Sequence, residues 1–156
     1  MQKMKVMLTP VCDILAWCLM PNHFHILIYV SPESVKMIKH PMEIQKLSWM
    51  LGKLLSAYAQ AINRKEGFVG NLFQQGTRRK CVLEKENNND AFADDPTYLW
   101  NVFQYIHNNP VEAGLVDTME DWAYSSVNEY LLSSDDTICN TSLACTLMPT
   151  EESQMF

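Results

Sequence analysis

A chain of 156 residues, 47% hydrophobic and 19% charged, fits one domain with a tail and is too apolar for a disordered polymer. Five glycines and seven prolines exclude collagen-like and Pro-rich low-complexity classes. The net charge of −6 argues mildly against a nucleic-acid partner, but it hides an asymmetry. Up to residue 85, twelve basic residues face five acidic ones, a net of +7; from residue 86 on, thirteen acids stand with no Lys or Arg, a net of −13. A basic body with an acidic end remains compatible with a polyanion. The five cysteines are scattered without C-x-x-C spacing, which predicts reduced thiols in a cytoplasm and no zinc knuckle. Met1–Pro10 has no apolar stretch of the kind that opens a secretory leader. Pro21, Asn22, His23 and His25 interrupt the most apolar run, Ile14–Val30, so no membrane span is expected.

In chain order, Cys12–Leu19 reads as a strand stopped by Pro21-Asn22, and His23–Val30 follows with period-2 alternation, the pattern of a β-hairpin. His23, His25, Leu27 and Tyr29 share one face. From about Pro41 to Lys65 the period becomes helical, with Ile44, Leu47, Leu51, Leu54, Leu55, Tyr58 and Ile62 in one stripe and Gly67 as the stop. Phe68–Gln75 reads as loop, Arg78–Leu83 as a strand, and Glu84–Asp95 as a solvated loop. A second helix runs from about Pro96 or Thr97 to Asn108, ended by Asn109-Pro110. A short turn, Val111–Val116, and an aromatic segment around Trp122 and Tyr124 pack back on the body. The domain is thus expected over 1–132, with 133–156 a poorly ordered acidic tail.

Two constellations carry chemistry. On a strand, His23 and His25 project from one face about 6–7 Å apart, close enough to share a metal ion. On the second helix, Tyr105 and Asn109 stand at i and i+4, so phenol and amide project together, and an amide oxygen is a hard donor for a divalent cation. Either pair alone is ordinary: histidines in a strand are commonly just hydrogen-bonded, and Asn before Pro is commonly a turn former. If the helix crosses the histidine face, the four residues form a machine. A metal held by His23, His25 and Asn109 would polarise a phosphodiester, and Tyr105 would attack it.

These residues resemble a known family. Leu19-Met20-Pro21-Asn22-His23-Phe24-His25-Ile26-Leu27-Ile28 is similar to the His-hydrophobic-His strand of the REP-associated tyrosine transposases, relatives of the small single-strand insertion-sequence (IS200-like) transposases. Tyr105-Ile106-His107-Asn108-Asn109-Pro110-Val111-Glu112-Ala113-Gly114-Leu115-Val116 looks like that family's nucleophile helix and the turn after it. Trp122-Ala123-Tyr124-Ser125-Ser126 resembles its Trp/Ser-Ser segment, and Gly70-Asn71-Leu72-Phe73-Gln74 with Arg78-Arg79-Lys80 its glycine-aromatic stretch, over about residues 12–132. The resemblance implies an α+β, ferredoxin-like antiparallel sheet with helices, lacking the family's usual first strand and helix. It implies a metal-dependent single-strand DNA endonuclease and strand transferase, acting beside hairpins and using Mg²⁺ or Mn²⁺. Tyr105 matches the nucleophile, with Tyr98 its rival on the same helix face; His23, His25 and Asn109 match the metal ligands.

Charge placement makes Arg78, Arg79 and Lys80, with Lys46, Lys53, Arg64 and Lys65, candidate DNA contacts, and Trp49 or Tyr58 candidate stacking platforms. An unpaired inner strand edge would invite association, so a homodimer is an expectation. Two other readings compete: a truncated, inactive module that binds DNA hairpins, and a phosphodiesterase without a covalent intermediate.

Overall fold

The computed structural model describes residues 2–67, 69, 70, 72, 77–82, 97–132 and 136–148. Its elements are α1 (Gln2–Leu8), β1 (Cys12–Leu19), β2 (Phe24–Val30), α2 (Pro32–Val35), β3 (Met37–His40), β4 (Met42–Gln45), α3 (Lys46–Glu66), α4 (Tyr98–Glu112), a 3₁₀ turn at Met119–Asp121, α5 (Val127–Leu131) and α6 (Thr141–Leu147). The architecture is α+β. β1 and β2 form the expected antiparallel hairpin, pairing Cys18 with His25 and Ala16 with Leu27. A bulge between Ile14 and Ala16 inserts Leu15 and resets the alternation, so Ile14 and Trp17 face one side while Leu15, Ala16 and Cys18 face the other.

Helices cover both faces, which is why β1 reads as a near-continuous apolar run. On one face Ile14, Trp17, Ile26 and Ile28 pack with Met4 and Leu8 of α1 and with Leu47, Leu51 and Leu54 of α3. On the other, Ala16, Cys18 and Leu27 pack with Leu99, Phe103 and Ile106 of α4 and Ala144 of α6. Among the described residues no helix is long and apolar enough to cross a membrane.

The edge of β1 away from β2 is closed by the last third of the chain. Leu19 donates its N–H to the Tyr124 carbonyl at 2.8 Å, and the Trp17 carbonyl accepts from Ser126 N at 2.9 Å. Ser126 Oγ accepts from Trp17 N at 2.9 Å, and Trp122 Nε1 donates to the Leu19 carbonyl at 3.0 Å. Further along, the Ile14 carbonyl accepts from Asn140 N at 2.8 Å and the Leu15 carbonyl from the Tyr130 hydroxyl. The backbone groups named along this edge of β1 are satisfied within the chain.

Four expectations are corrected. Pro41 does not open a helix: it sits at the reversal of a tight hairpin in which Ile38 pairs with Ile44, and α3 starts only at Lys46. The alternation in Met42–Gln45 outweighs the helical period that Ile44 completes. Residues 77–82 form no strand, and Leu83 lies outside the described residues. The predicted loops at Phe68–Gln75 and Glu84–Asp95 fall mostly or wholly outside them as well. Asn109-Pro110 does not end α4, which continues to Glu112. A proline in the final turn forfeits one backbone bond only, and Gly114, at φ 66°, makes the real stop.

Finally, residues 136–148 belong to the body. Ile138, Cys139, Ala144 and Met148 are buried, and Asn140 caps α6 by accepting from Leu143 N at 3.0 Å. Averaging composition over a Ser/Thr/Asp-rich stretch concealed this short apolar set. Residues 133–135 and 149–156 are outside the described residues.

Candidate functional site

The hairpin turn delivers His23 and His25 to the face on which α4 packs. Their ring centroids lie 4.9 Å apart, nearly perpendicular at 88°. Tyr105 of α4 meets His25 edge-on, with centroids 5.5 Å apart at 80°. Asn109, one turn on, donates Nδ2 to the Tyr105 carbonyl at 2.7 Å. That bond commits the amide's donor side and leaves its oxygen as the atom able to serve His25 or a ligand. The four residues expected from the sequence to converge therefore do so.

Electrostatics favour lone pairs here. Burial, and then the neighbouring His23, push the His25 imidazole below its ordinary value, against a side-chain hydrogen bond with Asn109 that favours the charged form. Among the described residues, His25 Nε2 is buried with no hydrogen-bond partner. A buried ring nitrogen without a partner, on a ring held neutral, is what a cation ligand requires. His23 is oriented from behind, its Nδ1 lying 2.6 Å from Asn22 Oδ1, which turns Nε2 outward as a ligand. Among the described residues no group of three His, Cys, Asp or Glu side chains could hold a metal. A cation here would rest on two imidazoles, the Asn109 oxygen, and oxygens from water or substrate. Two imidazoles and one amide oxygen suit manganese, cobalt or zinc on softness grounds, whereas Mg²⁺ prefers oxygen donors; Mg²⁺ or Mn²⁺ is what the resemblance implies.

Tyr105 is 50% exposed, so its hydroxyl is open to a large substrate. Tyr98, the rival, lies two turns toward the start of α4, about 10 Å by helix rise, with the Lys80 ammonium 5.3 Å from its ring centroid. That contact also places Lys80, the end of the exposed run Arg78-Arg79-Lys80, at the N-terminal end of α4.

The other basic candidates are not brought to this site. Lys53 and Arg64 are on α3, across the sheet from α4, and Lys53 stacks on Trp49 at 4.4 Å. Lys46 is engaged by Glu33, and Lys65 lies 3.7 Å from Glu66. Trp49 and Lys53 instead line an open groove of about 450 Å³ on the outer side of α3 with Ile44 and Gly52.

Sequence reasoning missed a buried network behind the site. Ser126 Oγ lies 2.7 Å from His107 Nε2 and bonds both Trp17 N and, at 3.2 Å, Trp17 O. Glu129 accepts from Trp17 Nε1 at 3.1 Å and from the N–H groups of Ile138 and Cys139. Burial holds the His107 imidazole down at about 4. The signal lay in His107, placed two residues past Tyr105 and so on the core side of the helix. Comparison with protein-family models, curated proteins and solved structures returned no match in any of the three.

Proposed function

We propose that this protein is a cytoplasmic, metal-dependent single-strand DNA endonuclease and strand transferase that links itself to DNA through Tyr105, on a sheet of ferredoxin-like arrangement. The observation that carries the reading is the meeting of Tyr105, His25, His23 and Asn109, from two distant segments, around an unsatisfied His25 Nε2. The resemblance to REP-associated tyrosine transposases points the same way and supplies hairpin-flanked single-stranded DNA as substrate.

In this reading the chain's own groups do most of the positioning. His23 and His25, one set by Asn22 and the other by its burial, fix the place of the scissile phosphate, and Asn109 holds the last turn of α4 against them. A divalent cation bound there, Mg²⁺ or Mn²⁺, supplies Lewis-acid polarisation of a phosphate oxygen. Tyr105 Oη attacks phosphorus: the Oη–P bond forms, the bond from phosphorus to one sugar oxygen breaks, the phenol releases its proton, and the departing sugar oxygen gains one. The phosphate remains an ester, so a second sugar hydroxyl can reverse the step and join strands without ATP. Arg78, Arg79 and Lys80 follow the backbone beyond the site. A homodimer is not required by this arrangement.

The test is incubation with end-labelled single-stranded hairpin DNA and Mn²⁺. A protein-linked label lost in Tyr105→Phe supports the transferase. A band shift with no linkage leaves only a DNA-hairpin-binding module, and free fragments without linkage mean a hydrolase.

A further inference from the structure

An open groove of about 470 Å³ adjoins Tyr105 along α4, lined by Asn101, Gln104, Tyr105, Asn108, Glu112 and Met119. Its chemistry differs from that of the histidine side. Of these lining residues only Glu112 is charged, and it is negative; Asn101, Gln104 and Asn108 present carboxamides at i, i+3 and i+7 along α4. Asn108 Nδ2 donates to Glu112 Oε1 at 3.2 Å and fixes that carboxylate against the helix. Asn101 Nδ2 donates to Thr97 Oγ1 at 3.4 Å, a bond that does not engage its amide oxygen. Met119, from the 3₁₀ turn, and the Tyr105 ring supply two apolar walls.

We infer that this groove holds the unpaired base of the nucleotide flanking the scissile phosphate and selects adenine or cytosine, whose exocyclic amines are N6 and N4, over thymine and guanine, which carry a carbonyl oxygen at that place. The inference rests on the transferase reading for the position of the phosphate, but its chemistry is its own. A carboxylate repels phosphate, so the anionic backbone lies on the histidine side of Tyr105 and the neutral base on this one. Carboxylate and amide oxygens accept from an exocyclic N–H₂, whereas thymine and guanine offer a carbonyl oxygen at the equivalent place. The Tyr105 ring and the Met119 thioether, both in the lining, offer apolar surface for a flat base. Width and polarity suit a single base, not a duplex edge, because the substrate is single-stranded beside the cleavage point.

Full-length protein carrying Tyr105→Phe is mixed with single-stranded DNA of random sequence, and the bound fraction is recovered and sequenced. The expected result is enrichment of adenine or cytosine over thymine and guanine by about fivefold at one position. Gln104→Leu with Asn101→Leu should flatten it to less than about twofold, with total DNA recovery little changed because phosphate contacts dominate affinity. Absence of enrichment, enrichment of thymine or guanine, or enrichment that survives both substitutions overturns the inference. Covalent labelling by the unsubstituted protein, run in parallel, reads the transferase by itself. Base selection without an adduct sustains the groove and sinks the transferase; an adduct without base selection does the reverse. Failure to recover any DNA overturns both.

Discussion

Ser126→Ala is the most direct probe of how the hairpin carrying the histidines is held. The Ser126 hydroxyl is buried at 0% exposure and serves two groups that have no water to turn to: Trp17 N–H at 2.9 Å and His107 Nε2 at 2.7 Å. Removing it strands one backbone donor and one ring nitrogen. At about 1–3 kcal/mol per buried polar group left unmade, the expected loss is about 2–6 kcal/mol. The Trp17 carbonyl keeps its bond from Ser126 N, so the lower half of that range is the better expectation. Ser125→Ala is the control, since its hydroxyl makes only two long contacts of 3.4 Å, to the Trp122 carbonyl and from Val127 N, and should cost less than about 1 kcal/mol. Urea unfolding followed by tryptophan fluorescence reads both, and at a slope of about 2 kcal/mol per molar the Ser126 variant shifts its midpoint by about 1–2 M. Equal midpoints for the two variants would show that the β1 edge is held by packing alone and refute the hydrogen-bonding argument.

Burial raises the Cys12 and Cys18 thiols to about 11 and the Cys139 thiol and Tyr130 phenol further. The folded chain therefore keeps protons that the unfolded chain gives up above about pH 9. Stability should be level from about pH 7 to 8.5 and fall between about pH 9 and 11, as read by thermal melts; a melting temperature constant from about pH 8.5 to 10.5 contradicts it. Exposed Cys145 should react first with a thiol reagent at pH 8, and Cys12, Cys18 and Cys139 only on unfolding. Neutralising Arg78, Arg79 and Lys80 should flatten the salt dependence of DNA affinity by about 2–3 in slope, whereas Lys46→Ala, whose charge Glu33 already engages, should leave that slope alone. A slope unmoved by the triple change removes these residues from the footprint.

The site was legible because its geometry is local. Alternation around Phe24 puts His23 and His25 on one face, and helix spacing puts Tyr105 above Asn109; only the crossing of α4 over the hairpin had to be supplied. What was not legible depends on distant partners. Lys46 looks like a free helix-surface cation until Glu33, from α2, is beside it. Pro110 looks like a terminator because nothing in the local pattern shows that the turn continues to Gly114. Ile138 and Ala144 look stranded in a polar stretch until β1 and α4 are there to receive them. The carboxamide face of α4 is visible as spacing, but only Met119, folding back, turns it into a groove.

The closure of β1 by residues near the far end of the chain also sets an order of events. Trp17 must wait for Ser126, 109 residues later, before its backbone is satisfied on that side. At about 5–20 residues per second of synthesis, the nascent strand stands open for about 5–20 s. During that interval its apolar run has no final cover, so a ribosome-associated chaperone has a defined window in which to act on it. Chains stopped before residue 122 would never leave that window.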